Sequence, residues 1–172
     1  MNTILAIDPG LKNCAAVLCE VSRDERTDEI KVSVKWSQVH DLSTTGTNPD
    51  FDAAADFAEE MMVILANERE VDAVLIEYQP PMNTRANPAL VCWNSSVEGF
   101  FFGYLIRQFP VKHSYSSVVK KFFRIAGGGH SVNKRLAKKK AQELLEPSDV
   151  KMTDHEADCV LMCVFEFIKR EN

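Results

Sequence analysis

The sequence predicts an α/β fold, a mixed sheet of five strands with helices on its faces. Three observations carry this. Residues 2–8, 14–21 and 30–36 are apolar or alternating segments joined by short connections, the pattern of an antiparallel meander. An amphipathic stretch then leads into a fourth apolar segment, residues 71–78, and a strand–helix–strand unit returning to one sheet runs parallel. The rest of the chain carries apolar and basic residues at helical spacing.

The elements follow in order. Residues 2–8 end four apolar positions in a carboxylate, Asp8, and Pro9-Gly10 turns the chain at once. Residues 14–21 (CAAVLCEV) and 30–36 (IKVSVKW) are the next two strands, and residues 40–49 read as a loop. Residues 50–67 form a helix, with Ala54, Phe57, Ala58, Met61 and Leu65 on one side and Asp52, Asp56, Glu59 and Glu60 on the other. The fourth strand, VDAVLIEY, again ends in an acid, Glu77, and residues 79–87 form a loop. Residues 88–108 are a helix that is apolar nearly all round, so it is buried in its own core or packs against a second subunit. Residues 111–113 form a short fifth strand. Ser116 or Ser117 caps a short helix that Gly127–Gly129 ends, and further helices span 132–145 and 154–169.

The length suits a single domain over residues 1–172. No apolar run is long enough to span a bilayer. Cys14, Cys19, Cys92, Cys159 and Cys163 are odd in number and lack a C-x-x-C pair. They read as buried free thiols of a reducing, intracellular compartment. Charge is uneven: residues 111–140 hold nine Lys or Arg and no acid, leaving −14 on the remainder against −5 overall. Such a basic segment is either a solvated helix face or a site for a polyanion. Its side chains include Lys120, Lys121, Arg124, Lys134, Arg135, Lys138, Lys139 and Lys140.

If the first and fourth strands are neighbours, Asp8 and Glu77 lie at the same end of the sheet, where two acids need a cation or a proton between them. The last helix begins Thr153-Asp154-His155-Glu156-Ala157-Asp158. Thr153 and Glu156 form a capping-box pattern, and Asp154 suits the helix dipole. Capping leaves Asp158 unexplained: it lies beside the core stripe, four residues after Asp154 and three after His155. Oxygen ligands with at most one imidazole suit Mg²⁺ or Mn²⁺, and two such ions promote phosphodiester hydrolysis.

Ile7-Asp8-Pro9-Gly10-Leu11-Lys12-Asn13, Leu75-Ile76-Glu77-Tyr78-Gln79-Pro80 and His155-Glu156-Ala157-Asp158 resemble, in order and spacing, the active-site motifs of RuvC-type Holliday junction resolvases. The likeness is greatest to the poxvirus-like and mitochondrial branch, which shares the Glu-x-Gln-Pro turn. The resemblance implies an RNase H-like fold and a homodimer paired through the 88–108 helix, with Phe100–Phe102 at the interface. It also implies symmetrical, metal-dependent nicking of four-way or other branched DNA, leaving 5′-phosphate and 3′-hydroxyl ends. It carries over Asp8, Glu77 and Asp158 as ligands of two Mg²⁺ or Mn²⁺ ions, with His155 or Asp154 as the fourth. It places a lysine at the scissile phosphate, Lys139 matching best and Lys120 standing second. A viral origin implies action in the host cytoplasm or wherever viral DNA replicates.

Three rivals differ in class. A nuclease for RNA–DNA hybrids shares the fold. An actin-like nucleotide-binding protein needs two domains, and Gly127–Gly129 lacks the lysine-serine ending of a phosphate loop. A non-catalytic DNA-binding module leaves the acids without use.

Overall fold

A computed structural model describes residues 1–44, 48–79, 88–147 and 150–171, with 88–90 given by backbone alone. Its strands are β1 (Asn2–Pro9), β2 (Cys14–Arg23), β3 (Ile30–His40), β4 (Ser43–Thr44), β5 (Asn48–Pro49), β6 (Ala73–Glu77) and β7 (Val111–Ser114). Its helices are α1 (Phe51–Ala66), α2 (Pro88–Leu105), α3 (Ser116–Phe122), α4 (His130–Leu144) and α5 (Asp154–Glu171). The main sheet has the order β3-β2-β1-β6-β7. The first three strands pair antiparallel, and β1–β6 and β6–β7 pair parallel, as the meander and the crossover require.

β1 lies at the centre because both of its faces are apolar. Ile4 and Ala6 pack with Ala157, Val160, Leu161 and Val164 of α5, and with Val119 of α3 and Ala137 and Ala141 of α4. Leu5 and Ile7 pack on the other side with Phe57 and Met61 of α1 and Val97, Phe101 and Leu105 of α2. Strand side chains alternate between faces. Asp8 therefore shares the α5 face with Ile4 and Ala6, and Glu77 shares it with Ala73 and Leu75.

Several boundaries differ from those the sequence predicts. β3 runs to His40, and the predicted loop contains the β4–β5 hairpin. Cys14 to Arg23 supply partners along nearly all of β3, which keeps it extended past Trp36. Neither Ser116 nor Ser117 caps α3. Tyr115 takes that place without a side-chain bond, because β7 delivers the chain in extended form one residue earlier. α4 starts at His130, where Gly129 turns the chain at a φ of 77° that glycine tolerates. Cys92 is exposed on α2, whereas the other four thiols are buried. Within Phe100–Phe102, Phe101 lies in the chain's own core, since Val97, Phe101 and Leu105 recur at four-residue intervals on the face toward the sheet. Pro80 and most of the predicted 79–87 loop lie outside the described residues.

α1 has a full N-cap: Asp50 Oδ1 accepts the N–H groups of Asp52 and Ala53 at 3.1 and 3.0 Å. Asp50→Ala is expected to lower stability by about 1 kcal/mol, or roughly 2–4 °C in a thermal melt, with no change in the sheet.

Candidate active site

The site forms where β1 and β6 end under the start of α5. Gly10 N–H donates to Asp8 O at 2.9 Å, closing the turn that Pro9 opens. A Cβ on Gly10 would sit 3.1 Å from the Asn13 carbonyl oxygen, so the turn is as tight as glycine allows. Asp8 is buried, yet its carboxylate faces α5 and not the apolar core. At the start of α5 the capping box closes: Thr153 N–H donates to Glu156 Oε2 at 2.7 Å, and Glu156 N–H to Thr153 Oγ1 at 3.2 Å. That cap sets the helix phase and turns His155 and Asp158 toward the strand ends.

His155 Nδ1 lies 2.6 Å from Asp8 Oδ2. Asp154 turns the other way, to Lys134 Nζ at 3.6 Å. Lys120 Nζ donates to Asp158 Oδ2 at 3.0 Å. Glu77, Ser116, Val119, Lys120, Asp158 and Met162 line one narrow cleft. Asp8, Glu77, His155 and Asp158 are thus brought together with Lys120. Lys139 is not among them. Its side chain is 76 % exposed and reaches only to Glu143, 4.0 Å away and one turn further along α4.

The electrostatics are those of crowded carboxylates. Burial, followed by the facing Asp8 and Asp158, pushes Glu77 from 4.5 up to about 8, and Lys120 and Ser116 oppose the rise. Burial also raises Asp158, with the Lys120 ammonium pulling the other way. His155 is raised by its hydrogen bond to Asp8, against its own burial and the charge of Lys134.

Among the described residues no three such side chains stand in the geometry of a formed metal centre. Two are engaged otherwise, Asp8 by His155 and Asp158 by Lys120. The donor set nonetheless fits Mg²⁺ or Mn²⁺: three carboxylates and one imidazole converge, oxygen-rich ligands of the kind such ions take. Ser116 is a site neighbour that the sequence offered only as a helix cap. Its proximity to Glu77 depends on the β6–β7 register, which no local pattern reveals.

Lys120 lines this cleft and Lys134 stands beside Asp154 at the start of α5, whereas Lys140, near the far end of α4, lies beside Glu29, Ile30 and Lys31. Lys121, Arg124, Arg135, Lys138 and Lys139 are exposed, while Lys134 and Lys140 pair with Asp154 and Glu143.

The sheet order, the antiparallel meander and the flanking helices define the RNase H-like class. Within it, the fold is that of the RuvC-type Holliday junction resolvases. RuvC of Thermus thermophilus superposes with a TM-score of 0.69 at 17% identity over 98% of this chain and 96% of that one. It has also been solved in complex with Holliday junction substrate, at the same score and identity. Fowlpox virus resolvase, solved with substrate Holliday junction DNA, gives 0.53 at 15% identity over 96% and 99%. The yeast mitochondrial Holliday junction resolvase Ydc2 gives 0.53 at 18% identity over 94% and 75%. No protein-family model and no curated protein sequence matches the chain. No described helix is long and apolar enough to cross a membrane.

Proposed function

We propose that this chain is a metal-dependent DNA endonuclease that resolves four-way junctions and related branched DNA. The observation that supports it most is the meeting of Asp8, Glu77, Asp158, His155 and Lys120 at one end of a RuvC-type sheet. Asp8, Glu77, Asp158 and His155 hold the metal ions, in place of Asp154. Bound there, a pair of Mg²⁺ or Mn²⁺ ions supplies Lewis-acid activation of water and charge neutralisation at a phosphodiester, with 5′-phosphate and 3′-hydroxyl ends as products.

The chain's own groups do the rest. A cation held by Asp158 would compete with the Lys120 ammonium for the same carboxylate oxygen, and one held by Asp8 would compete with a protonated His155. Lys120 is then a free ammonium beside the site, placed to stabilise charge on a phosphate oxygen, and we assign it the active-site lysine's role over Lys139. If it does not ligate a metal ion, His155 would instead hold or pass a proton near neutral pH. Lys121, Arg124, Lys134, Arg135, Lys138, Lys139 and Lys140 position the polyanion and read no sequence. A homodimer through α2 would place two such sites about a twofold axis, suited to paired cuts.

A labelled immobile four-way junction incubated with the protein and Mg²⁺ or Mn²⁺ should yield paired nicks that a ligase seals. Binding should weaken steeply between low and physiological salt. Preferential cutting of an RNA–DNA hybrid, or of plain duplex, would refute the assignment.

A further inference from the structure

The parallel ladder between β1 and β6 ends at Ile7 and Ile76. Asp8 and Glu77 are the next residues on each strand, just past the last paired residues of β1 and β6. Outward, Asp8 pairs with Ala15 of β2 and Glu77 with Ser114 of β7, and Tyr78 N–H donates to Ser114 O at 2.8 Å. Two carboxylates beyond the last rung repel, and the strand ends should splay.

Helix α2 bridges the gap. It is apolar nearly all round, yet its middle carries Asn94, Ser95 and Glu98. Asn94 Oδ1 accepts the N–H of Leu11, in the turn after Asp8, at 3.1 Å. Ser95 Oγ donates to the Gln79 carbonyl at 3.1 Å, and Glu98 Oε2 accepts the Gln79 N–H at 2.8 Å. One helical turn thereby grips the chain just past both acids. Glu98 is buried at 6 % exposure, where an acid is costly unless well paired. His113 Nε2, 2.8 Å from its other oxygen, supplies a second partner. Ser96, the remaining polar side chain here, bonds back to the Cys92 carbonyl of its own helix and takes no part.

We infer that Asn94, Ser95 and Glu98 are positioning residues that clamp the two acid-bearing strand ends at a fixed separation. The inference rests on the nuclease reading only for what the spacing serves. An ion pair of fixed size needs its ligands at a set distance, and misplacement by about 1 Å costs up to about 10²-fold in rate. Removing the clamp should leave DNA binding intact and slow the cut.

The test uses the full chain with Asn94→Leu, Ser95→Ala, Glu98→Ala and Glu98→Gln. Single-turnover cleavage of a four-way junction is measured alongside metal-free junction binding, Mn²⁺ affinity by calorimetry and thermal midpoint. Asn94→Leu and Glu98→Ala should each slow cleavage at saturating junction by roughly 30-fold and weaken Mn²⁺ binding about 10-fold, with the junction Kd unmoved. Glu98→Gln keeps an acceptor for Gln79 N–H and should stay within about threefold of the parent. If Glu98→Ala fails to fold, Asn94→Leu and Ser95→Ala read the same quantities at less buried positions. Folded Asn94→Leu and Glu98→Ala proteins with unchanged Mn²⁺ affinity and cleavage would overturn the clamp. So would losses that track thermal midpoint alone and are no smaller in Glu98→Gln. A parent protein that cuts no junction, yet shows the expected Mn²⁺ pattern across the variants, refutes the nuclease reading and upholds the clamp.

Discussion

Asp8→Asn is expected to slow junction cleavage by roughly 10³-fold or more while leaving junction affinity within about threefold. The substitution keeps the shape at the end of β1, and the Pro9-Gly10 turn does not use the side chain. It removes the negative charge that lies 2.6 Å from His155 Nδ1. On the proposed reading, DNA is held by the basic side chains of residues 120–140, and one carboxylate fewer beside a polyanion only eases approach. A second readout follows from the same contact. Asp8 is the first cause of the raised His155 value, so in Asp8→Asn the imidazole should titrate lower, toward an ordinary histidine. NMR of the His155 ring against pH would show it. Normal cleavage by this variant with Mg²⁺ would remove Asp8 from the site.

The second expectation concerns stability and carries an unusual sign: Glu77→Gln should make the metal-free protein more stable at alkaline pH. Burial and the neighbouring carboxylates hold Glu77 at about 8 in the folded protein, against an ordinary 4.5. A folded-state pKa raised above the unfolded one means that the folded chain binds the extra proton. The associated stability is fully present below the unfolded value and is lost as pH rises through about 8. The whole loss is at most on the order of 5 kcal/mol, and less where the neighbouring acids titrate together with Glu77. Glutamine has no proton to lose. Calorimetry should therefore find the variant melting roughly 5–10 °C above the parent at pH 9, with the difference vanishing near pH 5. Mn²⁺ should raise the parent's midpoint at pH 8 and do much less for the variant, since a cation that binds only the folded site stabilises by mass action. A difference between the two proteins that is flat with pH would contradict the placement of Glu77 among the acids.

Much of the molecule can be read before folding is considered. Two apolar segments that each end in an acid, with a helical crossover between them, already imply parallel strands, and the sheet order makes them neighbours. Period-two alternation puts Asp8 with Ile4 and Ala6, and Glu77 with Ala73 and Leu75, and the register that pairs Ile7 with Ile76 then puts the two acids on one face. The start of α5 is equally legible, since a capping box is a local contact over three residues.

What sequence could not settle lay wherever two helical neighbours competed for one place. His155 and Asp154 are adjacent on α5, so they differ by about 100° of rotation. Only the packing of α5 against β1 turns the first to Asp8 and the second to Lys134. Lys139 fitted the family pattern better than Lys120, yet Lys120 is the one that reaches Asp158. Ser114 stands opposite Glu77 in the sheet, and α3 starts two residues later, which carries Lys120 back over the strand ends. Glu98 drew no sequence signal of its own, because its partners, Gln79 and His113, are 19 and 15 positions away.

The sequence by itself determined the class of fold and the local cap that orients the last helix. These follow from periodicity and short-range hydrogen bonds, whose partners are a few residues apart. The tertiary structure alone decided which lysine and which α5 residue enter the site, and that α2 holds the two strand ends. Those depend on strand register and helix rotation, which are set by packing across the whole core.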